Sequence, residues 1–248
     1  MLQGGRLAAR PDQLGAESSL RTPRAAAAAG IAFALLTATS LILLRLSTPA
    51  NPGSAGQWLS DSGRRQAVSV ALNLVPFAGI AFLWFIGVVR DRIGGREDRF
   101  FATVFLGSGL LFIAMFFAAA ALAGGLLGAA NSHVSGAPGS DTLALGRGAT
   151  SILLNVYSMR MAAVFTLTTV TIGRRTGIIP RWLSGAGLVT AVVLLVAVSF
   201  SSWVELLFPA WILALSIDIL ASGGSPAGAL ASPQPADPHS ADPPAAKA

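Results

Sequence analysis

Arg160 is a guanidinium in the middle of an apolar stretch, and few polar residues stand where they could serve it: Asp218, Asn155, Tyr157 and Asn73. The stretch begins at Ala149, eleven residues earlier. At about 1.5 Å per residue, Arg160 is roughly 16 Å deep, close to the midplane of a ~30 Å hydrocarbon layer. A central arginine there costs ~2.5–3.5 kcal/mol even on the mild insertion scale, so it is expected to face protein or water. Asp218 lies fifteen residues beyond Trp203, roughly 22 Å deep, which leaves a depth difference of ~6 Å that an arginine side chain spans. Glu205 is the rival partner, but its place near the outer boundary allows it to be hydrated.

Two chemistries fit these residues. As a functional group, Arg160 would bind an anionic head or a carboxylate, or would gate a proton path with Asp218. As a structural group, it would pair with Asp218, with helix carbonyls, or with Asn73 or Asn155, and would lock a helix bundle. One Arg and one Asp without a line of further acids make a poor proton wire.

Many other chemistries are excluded by residue type. The chain has no cysteine, which removes disulfides, thiolate metal sites, iron–sulfur clusters and a cysteine nucleophile. Its one lysine, Lys247, is next to the C-terminal residue, so no phosphate-loop or Schiff-base lysine exists. His133 and His239 both lie outside the apolar stretches. Gly107-Ser108-Gly109 therefore has no histidine base for an intramembrane serine nucleophile, and the single deep acid, Asp218, rules out a paired-aspartate protease and a carboxylate metal site. The expectation is no catalytic constellation, no bound cofactor and no metal. The formal charge of +6 comes almost wholly from arginine, a usage that fits a GC-rich genome rather than nucleic-acid binding.

These residues must be positioned by membrane helices. Of 248 residues, 53% are hydrophobic and only 11% charged, less than half the ~25% charged residues of a soluble domain. Six apolar stretches are long enough to cross a bilayer: 25–46, 67–89, 101–127, 149–172, 182–200 and 203–221. They are apolar on all sides, unlike the alternating segments of a membrane barrel. The predicted fold is thus all-α, a polytopic bundle of six transmembrane helices. The first stretch follows a long polar leader and exceeds the 7–15 residues of a cleavable apolar core, so it is read as a retained helix.

Orientation follows from arginine. With the N-terminus inside, the inner segments hold Arg6, Arg10, Arg21, Arg24, Arg90, Arg92, Arg96, Arg99, Arg174, Arg175, Arg181 and Lys247, against Arg64, Arg65 and Arg147 outside. Such a bias in short loops places both termini in the cytoplasm, N-in and C-in, and the chain in the cell membrane of a bacterium. Three regions result: a cytoplasmic N-terminal segment over 1–24, a six-helix transmembrane domain over 25–221, and a cytoplasmic tail over 222–248. The tail is rich in Pro, Ala and Gly and is expected to be disordered. The inner 90–99 segment mixes arginine with acids and reads as a topology signal with attraction for anionic lipid.

Pro76 and Pro209 are expected to shape their helices by removing a backbone bond each. Glycine pairs such as Gly124/Gly128 and Gly185/Gly187 offer small surfaces for close helix contact, and Trp84, Trp182 and Trp203 read as interface anchors. Ile179-Pro180-Arg181-Trp182-Leu183, opening an apolar helix with Gly185 and Gly187, resembles a junction found in uncharacterised multi-pass integral membrane proteins of actinobacterial type. The resemblance implies a multi-pass membrane protein and no particular site. Taken together, the residues point to a non-enzymatic accessory or regulatory membrane module. The alternative is a small-solute transporter or channel lined by the second, fourth and sixth spans, with an Arg/Asp site. The expected partners are the lipid bilayer and a further membrane protein or a second copy of the chain, and no nucleic acid.

Overall fold

A computed structural model describes residues 11–47, 61–93, 99–131, 140–177, 179–197 and 202–222. The leader before Pro11, the tail beyond Ser222 and the middles of the loops lie outside the described residues. Among the described residues all regular structure is helical. The helices are α1 (Pro11–Ser47), α2 (Ser62–Ile93), α3 (Arg99–Asn131), α4 (Ser140–Ser151), α5 (Met159–Thr176), α6 (Arg181–Val196) and α7 (Leu207–Ser222). A π-helical segment, Ile152–Ser158, joins α4 to α5 as one rod, and a 3-10 turn, Ser202–Leu206, leads into α7.

Five stretches are long and apolar enough to cross a membrane: Arg24–Ser47, Ser62–Arg90, Phe100–Ala129, Asp141–Thr176 and Trp203–Ser222. They agree with the first four and the last of the six expected spans. The remaining one differs. Helix α6 ends at Val196 after 16 residues, about 24 Å of helix against a ~30 Å layer, with the Ala197 amide bonding back to the Val193 carbonyl at 2.7 Å.

The turn between α5 and α6 is short. Gly177 ends α5 with φ +70°, the left-handed conformation that glycine adopts without a Cβ clash. The Ile179 amide then reaches the Gly173 carbonyl at 3.3 Å, and Pro180 starts α6 from an extended conformation that accepts the Ser184 amide at 3.0 Å. The Ile-Pro-Arg-Trp junction is therefore a hairpin that sets α6 antiparallel to α5.

Each helix packs on its sequence neighbour, and α7 closes the ring against α1. The helix ends can be matched by contact. Gly30 sits against Ser216 and Phe85, while Arg175 lies over the ring of Phe101, 4.6 Å from its centroid. Arg24, Arg90, Arg174, Arg175 and Arg181 thus share one end of the ring, the basic end. Between α6 and α7, Trp211 donates to the Leu183 carbonyl at 3.2 Å and rests on Gly187, a close approach that only a residue without a side chain permits.

The axis of the ring is filled by phenyl groups. Phe82 lies 4.5 Å from Phe33, 5.3 Å from Phe112, 5.1 Å from Phe165 and 5.8 Å from Phe208, centroid to centroid. Phe105 stacks on Phe165 at 4.8 Å. These rings come from α1, α2, α3, α5 and α7, and all are buried. In lipid, where helices gain little from hydrophobic exclusion, such packing and tilted ring contacts, each about 0.5–1.5 kcal/mol beyond area burial, carry the association.

Candidate functional site

The polar centre of the ring lies at the end opposite the basic one, and it is built on Arg45 and Glu205. Arg45 occupies the last turn of α1, and its guanidinium forms an ion pair with the Glu205 carboxylate. The same nitrogen donates to Asn155 Oδ1 at 3.1 Å, and Asn155 Nδ2 donates to Ser151 Oγ at 2.9 Å. Three distant parts of the chain, α1, the π-helical segment and the 3-10 turn, converge on one guanidinium.

Local backbone features aim these groups. Asn155 lies inside the π-helical segment, where the Met159 amide reaches back five residues to Leu154. Such a bulge rotates side chains out of the α-helical register and is common at functional positions. Glu205 lies in the 3-10 turn. Pro209, four residues on, lacks the amide that would bond to the Glu205 carbonyl in a continuous α-helix. The proline thereby permits the tighter turn that points Glu205 inward.

Glu205 is 1% exposed, while the Arg45 side chain is 29% exposed. Among the described residues, Glu205 Oε2 has no hydrogen-bond partner. Below the pair, Leu41, Val75 and Phe116 form an apolar layer with Leu154 and Leu206 packed against it, and below that lie the phenyl rings. The site is a neutral, half-open polar corner sealed on its inner side. Chemically it can hold α1, α7 and the rod together, and it can offer one free carboxylate oxygen to a donor.

The structure assembles only part of the expected cluster. Asn155 joins the network, but through Arg45 rather than Arg160. Arg160 is exposed on the outer face of α5, and among the described residues no ion pair or hydrogen bond reaches its side chain. Tyr157 is 54% exposed on that same face. Asn73 is exposed and donates to the Ser69 carbonyl of its own helix at 2.9 Å. Asp218 is half-buried, and among the described residues it makes no ion pair with Arg160.

The expected Arg160–Asp218 pairing fails on depth. Asn155 and Glu205 share a level because both bond Arg45. From there Arg160 is five residues along its helix, roughly 7 Å, and Asp218 is thirteen residues along, roughly 20 Å, both toward the basic end. The ~12 Å gap exceeds the ~6 Å read from the apolar boundaries. Asp218 instead lies near that end: Ser216 packs at Gly30, so Asp218 is roughly 6 Å from the level of Arg24. There a carboxylate can be hydrated. The threonines that make this span look polar are also spoken for: Thr166, Thr168, Thr169 and Thr171 each donate to the carbonyl four residues back, at 2.7–2.8 Å.

The expected rival, Glu205, is thus the paired acid, but of a different arginine. Glu205 is read from the sequence as lying near the outer boundary, and Arg45 is the next-to-last residue of the first expected span, 25–46, which ends on that same side. The signal that could have joined them is this shared level, once α7 is placed beside α1.

Five long apolar helices in a closed ring define a multi-pass helical membrane protein in contact with the lipid bilayer. Comparison with protein-family models, with curated proteins and with solved structures finds no match for this chain.

Proposed function

We propose that the protein is a non-enzymatic accessory or regulatory module of a bacterial cytoplasmic membrane, with six spans and both termini inside. The observation that carries this reading is the phenyl-filled axis, backed by threonines bonded within their own helix: the ring is packed as a solid body rather than around a polar path. The orientation is supported by the five arginines at one end of the ring and by the positive-inside bias. The sixth span is supported by the course of the chain. Helix α6 leaves the basic end and α7 returns to it, and a short 16-residue span can be accommodated by local bilayer thinning. The Ile179–Leu183 junction keeps multi-pass proteins of actinobacterial type as the proposed kin.

A second reading, a small-solute transporter, is favoured by one observation, the unpartnered Oε2 of Glu205 in its half-open corner. Flux measurements separate the two. Proteoliposomes containing the purified chain should pass protons and small ions no faster than empty vesicles. Flux that rises with the protein and disappears in Glu205→Gln would make it a transporter. Reporter fusions after Ala221 should be active in the cytoplasm, and fusions within 128–148 outside it. The reverse pattern would overturn the orientation.

A further inference from the structure

We propose that the outer face of α5 docks a membrane-spanning helix of another protein, one that carries a carboxylate near its midpoint, with Arg160 as the anchor. The proposal rests on the accessory-module reading and names the chemistry of the partner. Along α5 and the preceding segment, Tyr157, Arg160, Val164, Leu167 and Thr171 recur at helical spacing and are exposed or half-exposed, while Met159, Ala162, Ala163, Thr166, Thr169 and Val170 are buried toward the ring. Arg160 is therefore a cation on a lipid-facing stripe.

Its depth follows from a contact. Ser158 Oγ donates to the Phe112 carbonyl of α3 at 3.5 Å. Phe112 is twelve residues into the apolar stretch that starts at Phe100, so Arg160 is roughly 15 Å from the basic end, the middle of a ~30 Å layer. An arginine side chain is much shorter than that distance, and a headgroup phosphate lies out of its reach unless the bilayer deforms. A guanidinium so placed needs an acceptor of opposite charge at its own level.

Among the described residues no acid of this chain meets the need, Asp61 being paired with Arg64. Glu205 is buried and bonded to Arg45, Asp218 lies ~12 Å nearer the basic end, and Asp141 is nineteen residues away along the rod, about 28 Å. A second copy docked by the same face about a two-fold axis would set Arg160 against Arg160, like against like. The remaining acceptor is a carboxylate on a foreign helix. Tyr157, nearly one turn away on the same stripe, would give that carboxylate a second donor.

The test uses the full-length protein in neutral-lipid vesicles, fluorescently labelled, with synthetic single-span Leu/Ala helices that carry Glu, Gln, Leu or Lys at the midpoint. Energy transfer at fixed peptide-to-lipid ratio reads association. The Glu helix is expected to associate about tenfold more strongly than the Leu helix, with Gln intermediate and Lys weakest. The Lys comparison uses the native protein, so the result does not hang on the folding of a variant. Arg160→Leu should abolish the preference for Glu, and Arg160→Lys should keep part of it. Equal association of all four helices overturns the proposal. So does association that tracks added anionic lipid instead of the helix carboxylate, which would assign Arg160 to a headgroup. Protein-dependent flux sensitive to Glu205 would overturn the accessory-module reading and leave this association unchanged, so the two failures are distinguishable.

Discussion

Arg45 and Arg160 are the same residue type in apolar surroundings, and the protein treats them in opposite ways. Arg45 is turned inward, where it meets Glu205 and Asn155. Arg160 is turned outward, where among the described residues nothing meets it. The inward arginine closes the ring by tying α1 to the segments on either side of the seam. The outward one makes no bond that ties the described helices together. A charge that stabilises the fold and a charge held for something outside it can be told apart by which way the helix faces, and this holds even though Arg160 is the deeper of the two.

The largest expected effect comes from breaking the inward pair. Arg45→Met leaves Glu205 buried, 1% exposed, without its counter-charge, and removing one partner of a buried pair typically destabilises by ~3–5 kcal/mol. Glu205→Ala should lose less, because Arg45 is 29% exposed and can turn its guanidinium to water. Thermal melting in detergent would reveal the asymmetry. A double-mutant cycle sharpens it: Arg45 and Glu205 should couple by more than about 1 kcal/mol, whereas Arg160 and Asp218 should be additive within ~0.3–0.5 kcal/mol. Coupling of the second pair, or additivity of the first, would reverse the assignment of roles.

Hydrophobic runs and boundary arginines made the helical architecture readable in advance, because length and charge act on each segment alone. Asn155 was also within reach as a polar residue at the wrong place in an apolar run. The partnership of Arg45 with Glu205 was not readable. It depends on α7 closing against α1, a contact between residues 160 apart in sequence. The outward turn of Arg160 was hidden for a different reason. Its helix buries Thr166 and Thr169 and leaves Leu167 exposed, so polarity does not mark the inner face. Intrahelical bonds from the threonine hydroxyls make burial of Thr cheap, and lipid makes exposure of Leu free. Helix α6 was legible as a span over 182–200, but its end at Val196 was not, because apolar residues continue past Val196 and composition does not mark where the helix stops.

An intermediate effect is expected where α1 meets α7 at the other end. Along the seam, Gly30 and Arg45 hold α1 to α7 on either side of the Phe33–Phe208 ring contact, one by close approach and one by charge. A Cβ at Gly30 would overlap Ser216 Oγ and lie 2.8 Å from the Phe85 ring, so Gly30→Ala forces the helices apart at an overpacking cost of about 1–3 kcal/mol. Gly87 has open space around its Cβ position, and Gly87→Ala should be neutral or should stabilise by up to about 1 kcal/mol through helix propensity. A melting comparison of the two variants reads the difference. If Gly30→Ala is as mild as Gly87→Ala, the close approach at Gly30 adds little to the seam, and the Arg45 pair and the Phe33–Phe208 contact must carry more of it than their geometry implies.

The smallest effect should come from the outward arginine. Among the described residues Arg160→Leu removes no bond, and substitutions on an uncommitted surface usually fall within ±0.5 kcal/mol. In detergent the melting temperature should therefore hardly move, since micelle water and headgroups hydrate the guanidinium there. In a bilayer the sign should favour the variant, because a mid-depth arginine carries an insertion cost of ~2.5–3.5 kcal/mol that leucine lacks. Expression and membrane insertion of Arg160→Leu should thus equal or exceed those of the native protein when the chain is produced alone. A marked loss of stability in isolation would mean that Arg160 is held by its own chain after all, and the contrast with Arg45 would collapse. A variant that is sound alone yet loses its preference for a glutamate-bearing helix would place the role of Arg160 outside the chain, where its orientation already directs it.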